Sequence, residues 1–451
     1  MFKPIPEFGT EERLRGSDTS PEKVRPERPE RLHCASFNQD TTSLVVGDRN
    51  GYRLFSLSSV DRMDCIHRGT ESSDVCIAER LFSSSLMVVV SKSTPFTMNI
   101  YHFKKGTEIC NYSYSSSILA LKLNRQRLIV CLEEALYIHN IKDMKLLKSL
   151  LNTPPNPKGL CALSVSHSSA YLAYPGSFTA GEITLYDALS LSPVGVISAH
   201  ASHVAGISFS ASGSRMATAS EKGTVIRVFS VPDGVRLFEF RRGLKRYVSI
   251  SSLSFSADEQ LLCVSSNTET VHVFKLEHHS PNQDSPSWSA YIGKVFSAAS
   301  TYLPSQVSDM MHQDRAFATV HLSQSGGRNI SALSTIQKVP RLLVASSDGH
   351  LYIYNVNLQD GGDCRLVQKH RLFERADEAL VASDLHVETP SYAETVATNT
   401  NQDSTPSSSL TGYSEDGGLR RGELIPDHEF EDGPLRLDDE QEFPPVSFRN
   451  S

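Results

Sequence analysis

Two adjacent arginines, Arg241 and Arg242, close the strand-like segment RLFEFRRG at 236–243. Side chains of this type can hold a phosphate, because a guanidinium supplies paired, charge-assisted hydrogen bonds to its oxygens. Hydroxyls and imidazoles can fill the remaining lone pairs, and glycine lets the backbone come close. Such groups lie on both sides of the pair. Upstream are His200, Thr218, Ser220, Gly223, Thr224 and Arg227; downstream are Gly243, Ser266, Thr270 and His272. Successive side chains on a strand point to opposite faces, so Arg241 and Arg242 are expected to serve two pockets, one toward each neighbouring unit. A histidine beside a bound phosphate has its charged form favoured, so binding is expected to strengthen at mildly acidic pH. The residues alone leave a second account open, a surface pair bonded to backbone or to neighbouring acids such as Glu239.

The elements that must position these side chains repeat along the chain. Each unit has an apolar strand, a strand of small and β-branched residues, and a strand ending apolar-aromatic-polar. The third strands read GYRLFS (51–56), MNIYHF (98–103), ALYIHN (135–140), EITLYD (182–187), TVIRVFS (224–230), TVHVFK (270–275) and HLYIYN (350–355). Aligning them places Phe55, Tyr101, His139, Tyr186, Phe229, Phe274 and Tyr354 at one position, with spacings of 46, 38, 47, 43, 45 and 80. Spacings near 40–45 belong to four-stranded propeller blades. Seven copies predict an all-β, seven-bladed β-propeller over about 33–375. The last spacing predicts roughly 35 inserted residues in the sixth unit, about 278–315. A β-sandwich or two smaller β domains are the weaker readings, because they do not require even spacing.

Composition bounds the rest. Residues 1–32 are rich in Pro, Glu and Arg, and 376–451 in Ser, Thr, Pro, Gly and acid. Both are expected to be disordered, since neither can bury enough apolar surface to offset its ordering entropy. The tail holds 17 acids against four arginines, leaving 40 basic and 34 acidic residues in the remaining chain. A mildly basic body suits an anionic surface. No apolar run approaches the roughly 20 residues of a membrane span, and the first residues lack a signal-peptide core. The eight cysteines include no C-x-x-C pair, which reads as reduced, buried thiols in a cytosolic protein. No G-x-S-x-G, H-E-x-x-H, Walker or G-x-G-x-x-G motif is found, and the histidines do not fall at metal-ligand spacings. An enzyme is therefore not expected, nor a cofactor. Sparse basic clusters without interleaved aromatics argue against a nucleic-acid partner.

FRRG at 240–243, with TASEKGTVIRVFS at 218–230 before it and SSNTETVHVFKLE at 265–277 after it, resembles the PROPPIN family of phosphoinositide-binding propellers. The resemblance covers about 33–375. It implies binding of phosphatidylinositol 3-phosphate and 3,5-bisphosphate at two headgroup sites. The first would be His200, Thr218, Ser220, Thr224, Arg227 and Arg241; the second, Arg242, Ser266, Thr270 and His272. It also implies a monomer in the cytoplasm that attaches peripherally to preautophagosomal and endosomal membranes. There it would recruit the conjugation or lipid-transfer machinery of autophagosome formation. A purely protein-binding propeller, whose arginines grip an acidic peptide, is the alternative.

Within the insertion, Trp288, Tyr291, Ile292, Val295 and Phe296 recur at helical spacing. An amphipathic helix with aromatics on one face can lie in the headgroup layer, although the same stripe can instead dock on protein. The resemblance also implies partner docking in the groove between the second and third blades, where Arg125, Arg127 and Lys142, in and beside the third unit, would suit an acidic helical peptide. Ordinary solvated strand-edge charges are the alternative there. In the tail, Asp438–Glu442 precede Phe443-Pro-Pro-Val446, a segment of the kind that can add to a partner's sheet edge, though its prolines lack donors.

Overall fold

The computed structural model describes residues 32–243, 247–277, 316–323 and 327–373, with a short strand at Arg420–Arg421. Within them the second strand of each unit carries the most continuous apolar sequence. Ser43–Asp48 (SLVVGD), Leu86–Ser91 (LMVVVS) and Leu261–Ser266 (LLCVSS) are buried at every position. A strand covered on both faces reads this way, because neither face meets water. The fourth strands are the opposite case: Ser192–His200 and Arg365–Arg371 are exposed over most of their length. In every blade the fourth strand is more solvated than the second.

These strands form seven antiparallel sheets around a ring, as the repeat predicts. Blades 1 to 7 span 34–69, 75–113, 120–151, 162–200, 204–241, 250–321 and 329–371. The aligned aromatic position is buried in every blade, from Phe274 and His139 at 0% exposure to Phe55 at 7%. His139, the one imidazole in that series, is satisfied by Tyr114 OH at 2.8 Å and Met144 O at 3.0 Å.

The apolar core is divided among the blade boundaries. Seven clusters of buried side chains fill the seven junctions; Ala217, Ile226, Phe240, Val264 and Phe274, for example, pack blade 5 on blade 6. A flat sheet must bury both faces, and ring closure supplies each with a neighbour. Blade 7 takes its four strands from 329–371 and blade 1 from 34–69. The ring is thus closed by side-chain packing, with Leu44 and Val46 against Leu343 and Ile353.

Two departures bear on function. In blade 6 the third strand ends at Lys275 and the fourth begins at Ala318, which places the inserted residues between them. Trp288, Tyr291, Ile292, Val295 and Phe296 lie outside the described residues, as do 1–31 and most of the tail. The sixth sheet also gains Gly362–Asp363, parallel to its fourth strand. Inner strands line a central channel of about 930 Å³, and none of the candidate phosphate-binding residues reaches it. The candidates sit at the rim.

Two cationic notches flank blade 5

Arg236–Arg241 is the outer strand of blade 5, with Arg241 opposite Val225. The next residue continues the ladder, Arg242 N donating to Thr224 O at 3.0 Å. Strand alternation then separates the two side chains. Arg241 lies with Glu239, its Nη2 3.7 Å from Glu239 Oε1. Arg242 turns the other way, its Nη2 donating to Thr268 Oγ1 and, at 3.3 Å, to Thr270 Oγ1.

The notch toward blade 4 is built from four strands. His200 ends the outer strand of blade 4, Thr218 lies on the second strand of blade 5, Arg227 on the third, and Glu239 and Arg241 on the fourth. His200 Nε2 and Thr218 Oγ1 are 2.9 Å apart, and Thr218 Oγ1 donates to Arg227 O at 3.4 Å. Arg227 is fixed from two sides: Nε donates to Glu239 Oε2 at 2.8 Å and Nη1 to Ala199 O at 2.6 Å. Burial, with the Arg227 charge second, lowers the His200 pKa to about 4, so the ring is neutral at physiological pH. Burial alone would raise the Glu239 carboxyl; its bond to Arg227 and the charges of Arg227, Arg236 and Arg241 outweigh this and hold it below its ordinary value. One carboxylate thus serves three guanidiniums. Any anion entering here meets excess positive charge in a half-buried setting.

Ser220 is buried and receives Val225 N at 3.3 Å, so it shapes the hairpin that carries Thr224. Gly223 is required by the fold itself. Its φ is +64°, and a Cβ there would meet Val248 O at 2.5 Å. The tight turn and its packing on blade 6 require glycine. Gly243 is exposed with open space around its Cα, and nothing in the structure explains its identity.

The notch toward blade 6 uses hydroxyls. Thr270 and His272 lie on the third strand, with Thr270 Oγ1 3.2 Å from His272 Nε2. Ser266 is buried and contacts Thr268 Oγ1 at 2.9 Å. Burial, then Arg242 and His321, lowers the His272 pKa to about 4. Among the described residues His272 Nδ1 finds no hydrogen-bond partner, and neither does Arg241 Nε in the first notch. A buried polar atom without a partner costs about 1–3 kcal/mol, so each notch holds a group that an entering oxygen or water would satisfy.

Thr268 and His321 belong to this second notch and were missed in the sequence. Thr268 sits in a polar turn, and nothing in SSNTET distinguishes it from Ser265 or Asn267. His321 follows the inserted residues, which hid its place in blade 6. The ladder puts it opposite Thr270, where blade 5 puts Arg241 opposite Val225. Its Nε2 lies 3.5 Å from Asp363 Oδ1 at the exposed rim.

The third-unit cations are placed differently from one another. Arg125 lays its guanidinium over the Phe82 ring at 4.1 Å, and Arg127 donates to Ala188 O at 2.7 Å and Gln126 O at 2.9 Å. Both take part in packing, whereas Lys142 is exposed. Among the described residues no three His, Cys, Asp or Glu side chains come together to hold a metal, and no helix is long and apolar enough to cross a membrane.

Residues 31–373 match the PROPPIN family model. The chain is 64% identical over 419 residues to WD repeat domain phosphoinositide-interacting protein 1 of Homo sapiens, covering 92% of this chain and 93% of that protein. It is 40% identical to Autophagy-related protein 18 of Caenorhabditis elegans, covering 78% of this chain and 88% of that protein. Among solved structures, that of Kluyvelomyces marxianus Hsv2 superposes with a TM-score of 0.58 at 18% identity, covering 76% of this chain and all of that one.

Proposed function

Since the chain belongs to the PROPPIN family, we propose that its two notches bind the headgroups of phosphatidylinositol 3-phosphate and phosphatidylinositol 3,5-bisphosphate. The protein is a non-enzymatic, phosphoinositide-interacting propeller of autophagy. In this reading it attaches to preautophagosomal and endosomal membranes and recruits the machinery of autophagosome formation.

One observation carries the reading. Adjacent arginines point into neighbouring notches, and each notch pairs a neutral imidazole, buried in His200 and half-buried in His272, with a threonine hydroxyl. A phosphate monoester offers three acceptor oxygens and about two negative charges. In the first notch Arg241 and Arg227 meet the charge while Thr218 and His200 donate. In the second, Arg242 leads, with Thr268, Thr270, His272 and His321 around it. Phosphate beside either ring opposes the burial that keeps it neutral, so binding draws protons onto His200 and His272.

Two weak sites on one rigid ring act together on a surface, because the first contact raises the local concentration for the second. An aromatic stripe at Trp288, Tyr291, Ile292, Val295 and Phe296, within the sequence between the third and fourth strands of blade 6, would add a third contact in the headgroup layer. Lys142, with Arg125 near it, offers a basic place for an acidic partner helix. Flotation on liposomes with and without phosphatidylinositol 3-phosphate tests the proposal. Wild type should float only with the lipid, and a folded Arg241→Ala/Arg242→Ala variant should stay at the bottom. Equal flotation of the two would leave a protein-binding scaffold as the account.

A further inference from the structure

The outer strand of a blade has an open edge, with alternate backbone N–H and C=O groups facing water. In blade 2 the last two positions of that edge are paired. Arg420–Arg421 pairs antiparallel with Thr107–Ser113, Arg420 opposite Ser113 and Arg421 opposite Tyr112, which makes a five-stranded sheet. We propose that the outer edge of blade 2 is a strand-addition site whose resident occupant is the chain's own tail, residues 419–432.

Sequence on either side of the paired residues supports this occupant. From Arg421 the chain reads GELIPDHEFED at 422–432. Continuing the register of those two pairs would set Gly422 to Ile425 along Asn111 to Glu108, with apolar Leu424 and Ile425 in strand positions. Pro426 falls at the end of the ladder, where a missing donor costs least. Beyond it come Asp427, Glu429, Glu431 and Asp432. The strand of blade 2 is entered from a turn at Lys104 and Lys105, both exposed. Antiparallel continuation would carry the four acids toward those two lysines, so charge as well as backbone pairing would favour this alignment over one slipped along the edge.

Chain length permits the contact. Forty-six residues separate Phe373, at the end of blade 7, from Arg420, and an extended chain of that length reaches roughly 150 Å. Closing so long a loop costs entropy that grows only slowly with length. The segment is therefore held by modest pairing at a high effective concentration. A site of that kind is occupied at rest and yields to a better extended peptide, which makes the tail a removable cover for blade 2.

Hydrogen exchange of the 107–113 segment in the full chain tests this. The comparison is wild type against Arg421→Pro/Gly422→Pro, which removes tail donors and lies outside all seven interblade cores. Wild type should exchange about threefold more slowly or better, as a site occupied two-thirds of the time gives. A synthetic peptide of residues 416–432 added to the proline variant should restore the protection. Replacing Asp427, Glu429, Glu431 and Asp432 by their amides should reduce it. Equal exchange in wild type and the proline variant would overturn the proposal, and so would a peptide that gives no protection.

Discussion

Arg227 and Arg53 hold the same place in two blades, two residues before the aligned Phe229 and Phe55. Each also ties its blade to the preceding one. Arg227 Nη1 donates to Ala199 O at 2.6 Å, and Arg53 Nη1 donates to Leu372 O at 3.3 Å across the closure of the ring. The surroundings differ. Where blade 5 sets Thr218 opposite Arg227, blade 1 sets Val46 opposite Arg53. Where His200 follows Ala199, Phe373 follows Leu372, and Arg53 lies over its ring at 5.5 Å. The first junction keeps hydroxyl, imidazole and a second guanidinium beside its arginine, with Arg241 Nε unpartnered among the described residues; the second sets apolar Val46 and the Phe373 ring in the corresponding places. An arginine at a blade boundary is a joint by default. Polar neighbours in place of apolar ones make it a site.

The comparison can be broken by converting one junction into the other. His200→Phe/Thr218→Val should leave a folded ring whose first notch no longer holds headgroup. Losing hydrogen bonds to a charged group, about 1.5–3 kcal/mol, lowers affinity there about tenfold to a hundredfold. Calorimetric titration with soluble headgroup would show it. The reciprocal change, Arg53→Ala, should cost about 1–3 kcal/mol of stability in urea unfolding and leave lipid flotation unchanged. Reduced flotation of a stable Arg53→Ala protein would erase the distinction.

A smaller effect should come from Thr268→Val. It keeps the shape of the second notch and removes one of the two hydroxyls that orient Arg242, leaving Thr270; affinity at that notch should fall about threefold to tenfold, roughly 0.7–1.4 kcal/mol. Glu239→Gln sharpens the electrostatic side. It frees Arg227, Arg236 and Arg241 from their shared carboxylate, so headgroup affinity at the first notch should rise by a few-fold at low salt. A fall would mean that Glu239 is needed to orient Arg227.

A separate effect is expected on the pH dependence of stability without ligand. The folded-state pKa of His200 and of His272 is about 4, below the ordinary value of 6.5. The unfolded chain therefore binds more protons as pH falls from about 6.5 to 4, and stability declines through that window, with the full loss below it. His272→Gln should flatten this decline relative to wild type in urea midpoints measured from pH 7 to 5. An unchanged slope would show that His272 is not held neutral.

Much of the fold was legible because each blade repeats one physical problem. A buried second strand and an aromatic at a fixed place in the third recur at 38 to 47 residues until the insertion, and Phe274 to Tyr354 shows where it falls. The arginine pair was legible because strand alternation needs no tertiary knowledge. His321 was not, since the inserted residues broke its spacing from Thr270. The difference between Arg227 and Arg53 was invisible for a related reason. TVIRVFS and GYRLFS carry the same arginine, but Phe373 is 320 residues from Arg53 in sequence, and only ring closure brings them together. Gly223, expected from its company to allow ligand approach, is also required by its turn and by Val248, which the sequence did not show.

The most direct test of the two-notch account is stoichiometry. Calorimetric titration with soluble inositol 1,3-bisphosphate would count headgroups per chain in wild type, in Arg241→Ala, in Arg242→Ala and in the double variant. The account predicts two for wild type, one for each single variant and none for the double. A single headgroup in wild type, or a count that the arginine substitutions leave unchanged, would contradict it.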